Sequence, residues 1–339
     1  MSARPAPASV SDISALIAAF PSADPEATRQ WDERAPQLTK PAGSLGRLED
    51  IARWLSGWQG AHPPRLDTVR ARIFAGNHGV AALGVSAFPA EVTVQMVANF
   101  QHGGAAINQL CKANGIQLDV VALDLDRPTA DFTQGPAMSE AEFVDAFAKG
   151  FASVPADTDL LVLGEMGIGN TTPAAAIACA LWGGDAALWT GRGTGVDGAA
   201  LVRKTEVVAQ AVARHKDKAP LDILRCLGGR ELAAMAGAVV AARLGRVPVL
   251  LDGYVCTAAV APLAMVRADA LDHCLLAHVS AEPGHRKLAE SLRMRPLLDL
   301  GMRLGEGSGA ATAVGLVRAA WACHVGMATF AEAGVSGKE

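Results

Sequence analysis

The chain has 339 residues, 50% of them hydrophobic and only 5% aromatic, with a formal net charge of −4. Such a composition suits one large globular domain, or one large and one small. It offers nucleic acid no long basic run, and its longest apolar stretches are broken by Arg243, Arg246, Asp252, Pro262 and Arg318, so no bilayer-length span remains.

The opening segment, MSARPAPASVSD, lacks the apolar core of a secretory signal, and a cytoplasmic protein is expected. Cys111, Cys179, Cys226, Cys256, Cys274 and Cys323 lie far apart without a C-x-x-C pair, and they read as reduced, buried thiols. Asp24 before Pro25 has the form of an N-cap with proline at the first helical position. KPAGSLG, residues 40–46, reads as a loop. The next stretch, GRLEDIARWLSGW, spaces Leu48, Ile51, Trp54, Leu55 and Trp58 at helical intervals.

From about residue 69 short apolar runs recur, each ending in a glycine-rich or polar turn. VRARIF leads to AGNHG, LDVVAL to DLD, DLLVL to GEMGIGNTT, AALW to TGRGTG, VPVLL to DGY, and HCLLAHV to SAEPGH. Alanine-rich helical stretches separate most of them. Brief apolar runs alternating with helices predict an α/β fold, a Rossmann-like parallel sheet flanked by helices. Ligands of such sheets bind beyond the carboxyl ends of the strands, where these turns fall. From Ser308 a long helix is expected through Phe330. The two ends, residues 1–65 and 308–339, are expected to pack as a small helical domain beside a large α/β domain, residues 66–307, that carries the site.

Several of these turns carry chemistry. In LGEMGIGNTTP, Leu163 to Pro173, glycines lead into a helix with Thr172 as N-cap and Pro173 at the first helical position. Amides at such a helix start receive phosphate well, although an ordinary tight turn accounts for the residues equally. GRGTGVDG contains Gly193-x-Gly195-x-x-Gly198, but the acid that a dinucleotide site places ~20 residues further on is missing from HKDKAPLD, so a nicotinamide dinucleotide is not the leading idea. Lys204 on the following helix is within reach of a phosphate as a point charge, against the plainer reading of a solvated surface lysine. Gly228 and Gly229 precede another helix start, where Glu231 complements the positive end. His78 and His278 line the prospective site. No close histidine pairing suggests a metal. In RLGEGSGAA, Glu306 stands between Gly305 and Gly307. It is either a helix-capping carboxylate or a base held against a substrate.

Taken in order, KPAGSLGRLE, GEMGIGNTTPAAA, GRGTGVD, LGGRELAAMAG, LLDGY, HVSAE and LDLGMRLGEGSGAA make the chain resemble the nicotinate-nucleotide–dimethylbenzimidazole phosphoribosyltransferase family from about residue 20 to 330. The resemblance implies transfer of ribose 5-phosphate from nicotinate mononucleotide to 5,6-dimethylbenzimidazole, with no metal or other cofactor. It places the general base on Glu306. It places the phosphate-binding loop on Gly164 to Asn170, so that Glu165, Gly167, Ile168, Gly169, Asn170 and Thr171 contact the nucleotide, with Lys204 in support; the Gly228 and Gly229 amides, read from their place before a helix start, are expected to share the phosphate. The base-binding segment falls on VSAFPAEVTVQMVANF, with Phe88, Gln95 and Met96, and Leu304 beside the glutamate. It also implies a homodimer in which each partner contributes to the other's site, and a large parallel α/β domain with a small helical one. Many members have an acid before His-Gly, where this chain has Asn77-His78-Gly79, so no acidic role passes to that position. An NAD-dependent oxidoreductase and a non-catalytic nucleotide-binding protein are the competing readings.

Overall fold

The sheet is built from the apolar runs as expected, with one exception. In a computed structural model that describes residues 5–336, β1 (Val69–Ala75), β2 (Gln117–Ala122), β3 (Leu160–Met166), β4 (Val249–Leu251) and β5 (Cys274–Leu276) form one parallel sheet in the order β2-β1-β3-β4-β5. The extreme ends of the expected helical domain, residues 1–4 and 337–339, lie outside the described residues. Strand β3 is central, and Leu160 to Leu163 are wholly buried, as a strand covered on both faces requires. The chain runs from β1 out to β2, then returns past β1 to β3. That reversal leaves a crevice between the loops after β1 and β3, the place where parallel sheets accept ligands.

Helices α1 (Val10–Ala18), α2 (Pro25–Arg34) and α3 (Arg47–Gln59) precede the sheet. Between β1 and β3 lie α4 (Glu91–His102), α5 (Ala106–Asn114) and α6 (Glu140–Ala152). Helices α7 (Thr171–Trp182), α8 (Gly198–His215), α9 (Pro220–Leu227) and α10 (Arg230–Gly245) follow β3. Then come α11 (Tyr254–Val266), α12 (Pro283–Ser291), α13 (Ser308–Gly326) and α14 (Phe330–Ala333). Side chains alternate along the strands. Leu161 and Leu163 face the core built with α6, α7, α10 and α11, while Leu160 and Val162 face the one built with α3, α5 and α13.

Helices α2 and α3 pack on α13, with Trp31, Ile51, Leu55, Val314 and Val317 in one cluster. Arg34 donates to the carbonyls of His324 (3.4 Å) and Met327 (3.1 Å). Helix α1 lies elsewhere: Ile13, Ile17 and Phe20 join the opposite cluster and touch α10. Asp24 caps α2 as expected, accepting from the amides of Glu26 and Ala27.

Three local expectations are corrected. AALW is not a strand: Ala186–Leu188 form a 3₁₀ turn, because the Asp185 carboxylate accepts the Ala187 amide (2.9 Å) and closes it. The glycines of GRGTG therefore do not follow a strand, which removes the remaining support for a dinucleotide site there. Helix α7 starts at Thr171, not after Thr172, because the Asn170 side chain is drawn to Glu165 instead of to the helix. The terminal helix stops at Gly326. Met327 is extended, and Thr329 with Glu332 then forms a reciprocal cap that starts α14. No helix among the described residues is long and apolar enough to cross a membrane.

Candidate active site

Loops from the carboxyl ends of β1, β3, β4 and β5 converge with the loop before α13 around one cleft of about 450 Å³. Glu306 enters it from a backbone turn of unusual form. Gly305, Glu306 and Gly307 all have left-handed backbone angles, with φ of 80°, 63° and 77°. Glutamate rarely adopts that conformation, and it persists only where neighbours enforce it. Here Ser308 donates both its amide (3.0 Å) and its hydroxyl (2.7 Å) to the Gly305 carbonyl. Asp252, at the end of β4, accepts the amides of Gly307 (3.2 Å) and Ala310 (2.9 Å). Asp252 thus takes the capping role for α13, and the Glu306 side chain is free of it. Among the described residues no protein group hydrogen-bonds the Glu306 carboxylate. Burial, and then the charge of Asp252, push its pKa up to about 7.

Glu165 closes β3 and accepts from the Asn170 side-chain amide. One of its oxygens lies where a Cβ on Gly305 would come within 2.5 Å, so the two acid-bearing loops are in contact. Burial raises Glu165 to about 8; the Asn170 bond opposes this, and the charges of Asp252, Glu231 and Glu306 add to it. Both neighbouring acids are thus raised toward neutrality, where a carboxyl can exchange a proton with a ligand.

Beneath this floor His78 Nε2 and Glu231 Oε1 are 2.5 Å apart, both side chains without exposure. Room for the pair comes from glycines. A Cβ at Gly76 would stand 2.6 Å from Glu231 Oε2, and one at Gly229 would strike His78 Cε1. Glu231 is thus more than a favourable charge at a helix end, and Gly228 and Gly229 lie behind the cleft and not in its lining.

The glycine-rich loop after β3 lines the cleft through Glu165, Gly167, Ile168, Asn170 and Thr171, while Gly169 does not. The Ile168 amide is taken by the Thr93 hydroxyl (3.1 Å) and the Asn170 amide by the Gly167 carbonyl (3.1 Å). Opposite lies the Gly191–Gly195 loop. Lys204 is not a surface lysine: it is fully buried under that loop and donates to Thr171 Oγ1 (2.7 Å) and the Gly191 carbonyl (2.9 Å). Burial lowers its pKa to about 8, partly offset by Glu282. Glu282 Oε1 accepts the Gly193 amide (2.9 Å), and Arg303 donates to the Gly193 carbonyl (3.2 Å). Phe88 and Leu304 line the mouth, 51% and 55% exposed. Gln95 and Met96 do not line it; Gln95 is exposed on α4 and Met96 packs against the core.

Motif reading passed over Asp252, Tyr254, Ser280, Glu282 and Arg303. Asp252, Ser280 and Glu282 sit within a few residues of the end of an expected strand, a positional signal that needs no motif.

A parallel α/β sheet with paired acids and a glycine-rich helix start at its carboxyl edge is the architecture of an enzyme that works on a phosphorylated ligand. Residues 20–335 match the family described as Phosphoribosyltransferase. Relatives from Ruegeria pomeroyi and Mesorhizobium japonicum, each named nicotinate-nucleotide–dimethylbenzimidazole phosphoribosyltransferase, are 62% and 58% identical. The alignments cover 95% of this chain and 96% of the first relative, and 97% and 99% for the second. A crystal structure of CobT from Thermus thermophilus superposes with a TM-score of 0.85 at 42% identity, over 93% of this chain and 100% of that one. The chain belongs to the nicotinate-nucleotide–dimethylbenzimidazole phosphoribosyltransferase family.

Proposed function

We propose that this chain transfers ribose 5-phosphate from nicotinate mononucleotide to 5,6-dimethylbenzimidazole, giving alpha-ribazole 5′-phosphate and nicotinate, with Glu306 as general base. One ring nitrogen of the benzimidazole attacks C1′ of the sugar. The bond from C1′ to the nicotinate ring breaks, and its electron pair returns to a ring nitrogen that was cationic. The proton on the other benzimidazole nitrogen passes to Glu306. Attack opposite the leaving group converts a beta into an alpha linkage. Carboxylates in the cleft also stabilise the positive charge that develops at C1′.

The observation that carries this reading is the Glu306 carboxylate itself: unbonded, in the cleft, and with a pKa brought to about 7 by burial and Asp252. A base titrating there is half-ionised at neutral pH and can both take and release a proton. Glu165, raised to about 8, holds its proton at neutrality and serves as a neutral hydrogen-bonding neighbour. Gly167 and the start of α7 at Asn170 and Thr171 are suited to the phosphate, with Lys204 fixing Thr171 from behind.

The same reading extends to assembly. A homodimer would cover Phe88, Val94, Leu300 and Leu304, all exposed apolar side chains. Of residues 1–65 and 308–339, the part from α2 through α3 together with α13 would form the small helical domain, supported by the packing of α3 on α13 and of α2 on α3, while α1 packs on the other side of the sheet. Five buried free cysteines and one partly buried suit a reducing compartment such as the cytoplasm. Incubating the purified protein with nicotinate mononucleotide and dimethylbenzimidazole, then separating products by chromatography, tests the reaction. Alpha-ribazole 5′-phosphate is expected, and its absence at every pH tried removes the proposal.

A further inference from the structure

Glu306 is presented by a turn that its own sequence does not favour, so something outside the turn must hold it. Among the described residues, the only side chain from another element that bonds this turn is Asp252. Its Oδ2 accepts the Gly307 amide (3.2 Å) and its Oδ1 the Ala310 amide (2.9 Å). These amides follow Glu306 at the start of α13, where the helix dipole favours an anion. Asp252 is itself fully buried at the end of β4, one peptide from the sheet register that pairs Leu251 with Leu163 and Leu276. The turn is therefore tied to the carboxyl end of a central strand. His278 Nε2 stands 3.4 Å from the same Oδ1, beyond a good hydrogen bond, and neither ring nitrogen has a protein partner among the described residues.

We propose that Asp252 is the positioning residue of this site: its carboxylate holds the left-handed turn that presents Glu306 and supplies the fixed negative charge that Glu306 faces. The proposal deepens the reading of Glu306 as the base and rests on it. Asp252 acts through Glu306 and not on the substrate. The charged or titratable groups around the Glu306 turn are Glu165 from β3, Asp252 from β4, Tyr254 from α11, His278 and Glu282 from beyond β5, Arg303 from its own loop and, one layer down, Glu231 with His78. Among these, Asp252 alone touches the turn's backbone and also raises the proton affinity of Glu306 by its charge. One residue thus sets both where the base sits and when it is ionised.

The test compares the full-length wild type with Asp252→Asn and Asp252→Ser. Both variants remove the charge, and each keeps an oxygen able to accept one amide. Protein labelled with [δ-13C]glutamate is titrated by NMR, with Glu306→Gln used to assign the Glu306 resonance. That resonance is expected to titrate near neutrality in the wild type and about one pH unit lower in the variants, since a neighbouring negative charge is gone. This readout needs no turnover, so it stands apart from whether the proposed reaction occurs. In the product assay, kcat is expected to fall about 10²-fold with KM for nicotinate mononucleotide within a few-fold of wild type. The acid limb of the kcat profile moves to lower pH with the resonance. A merely structural residue would lower activity without moving either. Folded variants with an unmoved Glu306 titration overturn the proposal. So does failure of both variants to fold, which would make Asp252 a folding residue.

Discussion

The two ends of the sheet are built to different standards. At the amino end, several polar groups are paired across loops. Asp159 accepts the Thr68 amide (2.8 Å), and the Gln59 side chain bridges the carbonyls of Arg65 and Asp159. At the carboxyl end, Glu306 occupies a left-handed turn, and His78, Glu231, His278 and Glu282 each keep a buried polar atom without a protein partner among the described residues. Buried polar groups are otherwise almost always satisfied. Single unpartnered atoms occur at the amino end too, on Arg70 and Arg243, but at the carboxyl end they gather around one cleft beside a left-handed glutamate, and there a ligand would complete the bonding. Proteins tend to break local rules at functional sites and compensate elsewhere.

The sharpest way to break this contrast is to remove the group at its centre. Glu306→Gln keeps the size of the side chain and loses the base. Turnover to alpha-ribazole 5′-phosphate is expected to fall by ~10²–10⁴ while nucleotide binding, measured by calorimetry, stays near wild type. Equal turnover in the variant would make Glu306 a structural residue and leave the under-bonded end without its proposed purpose.

How much of this was legible beforehand depended on the kind of signal. Five strands were readable because Val69–Ala75 and its counterparts are short apolar runs with turn residues after them. The sixth, Ala186–Leu188, failed because a four-residue run says little about period, and a side chain just before it closed a tighter turn. Glu306 was legible through its glycines. Lys204 as a buried residue was not, because on a helix with exposed neighbours its burial depends on the Gly191 loop folding back over it. Asp252 was invisible as a site residue for the same reason: its partners, Gly307 and Ala310, lie more than fifty residues away in sequence. Motifs report local backbone demands. Contacts between distant loops are set by the sheet order, which no single motif encodes.

The amino end offers the complementary test. Arg243, fully buried near the end of α10, lies 4.0 Å over the Trp58 ring and donates to the Pro21 carbonyl (2.8 Å). It joins the N-terminal segment to the α10 side of the sheet, far from any group assigned to the chemistry. Arg243→Met is expected to cost about 2–4 kcal/mol of stability through the lost carbonyl bond and cation–π contact. Urea denaturation measures it. The kcat of the remaining folded enzyme should be unchanged. A fall in kcat at full folding would mean the two ends are coupled and the contrast between them is false.

The smallest effect has the less familiar sign. Glu165 has its pKa raised from 4.5 to about 8, chiefly by burial. The folded state therefore holds this proton to a higher pH than the unfolded chain does, and the associated stability is full below about 4.5 and is lost as pH rises through about 8. Above that range the wild type keeps a buried charge beside Asp252, Glu231 and Glu306. Glu165→Gln cannot acquire that charge, and its side-chain oxygen can still accept from Asn170. At pH 5.5 the melting temperatures of wild type and variant should be close. By pH 8.5 the variant should be the more stable, by on the order of 1–2 kcal/mol, less than the full shift implies because the neighbouring acids titrate together with it. Thermal melts at the two pH values decide it. A variant less stable at pH 8.5 would show that Glu165 is held by favourable contacts and is not a strained group of the site, and the under-bonded end would then lose one of its two acids of raised pKa.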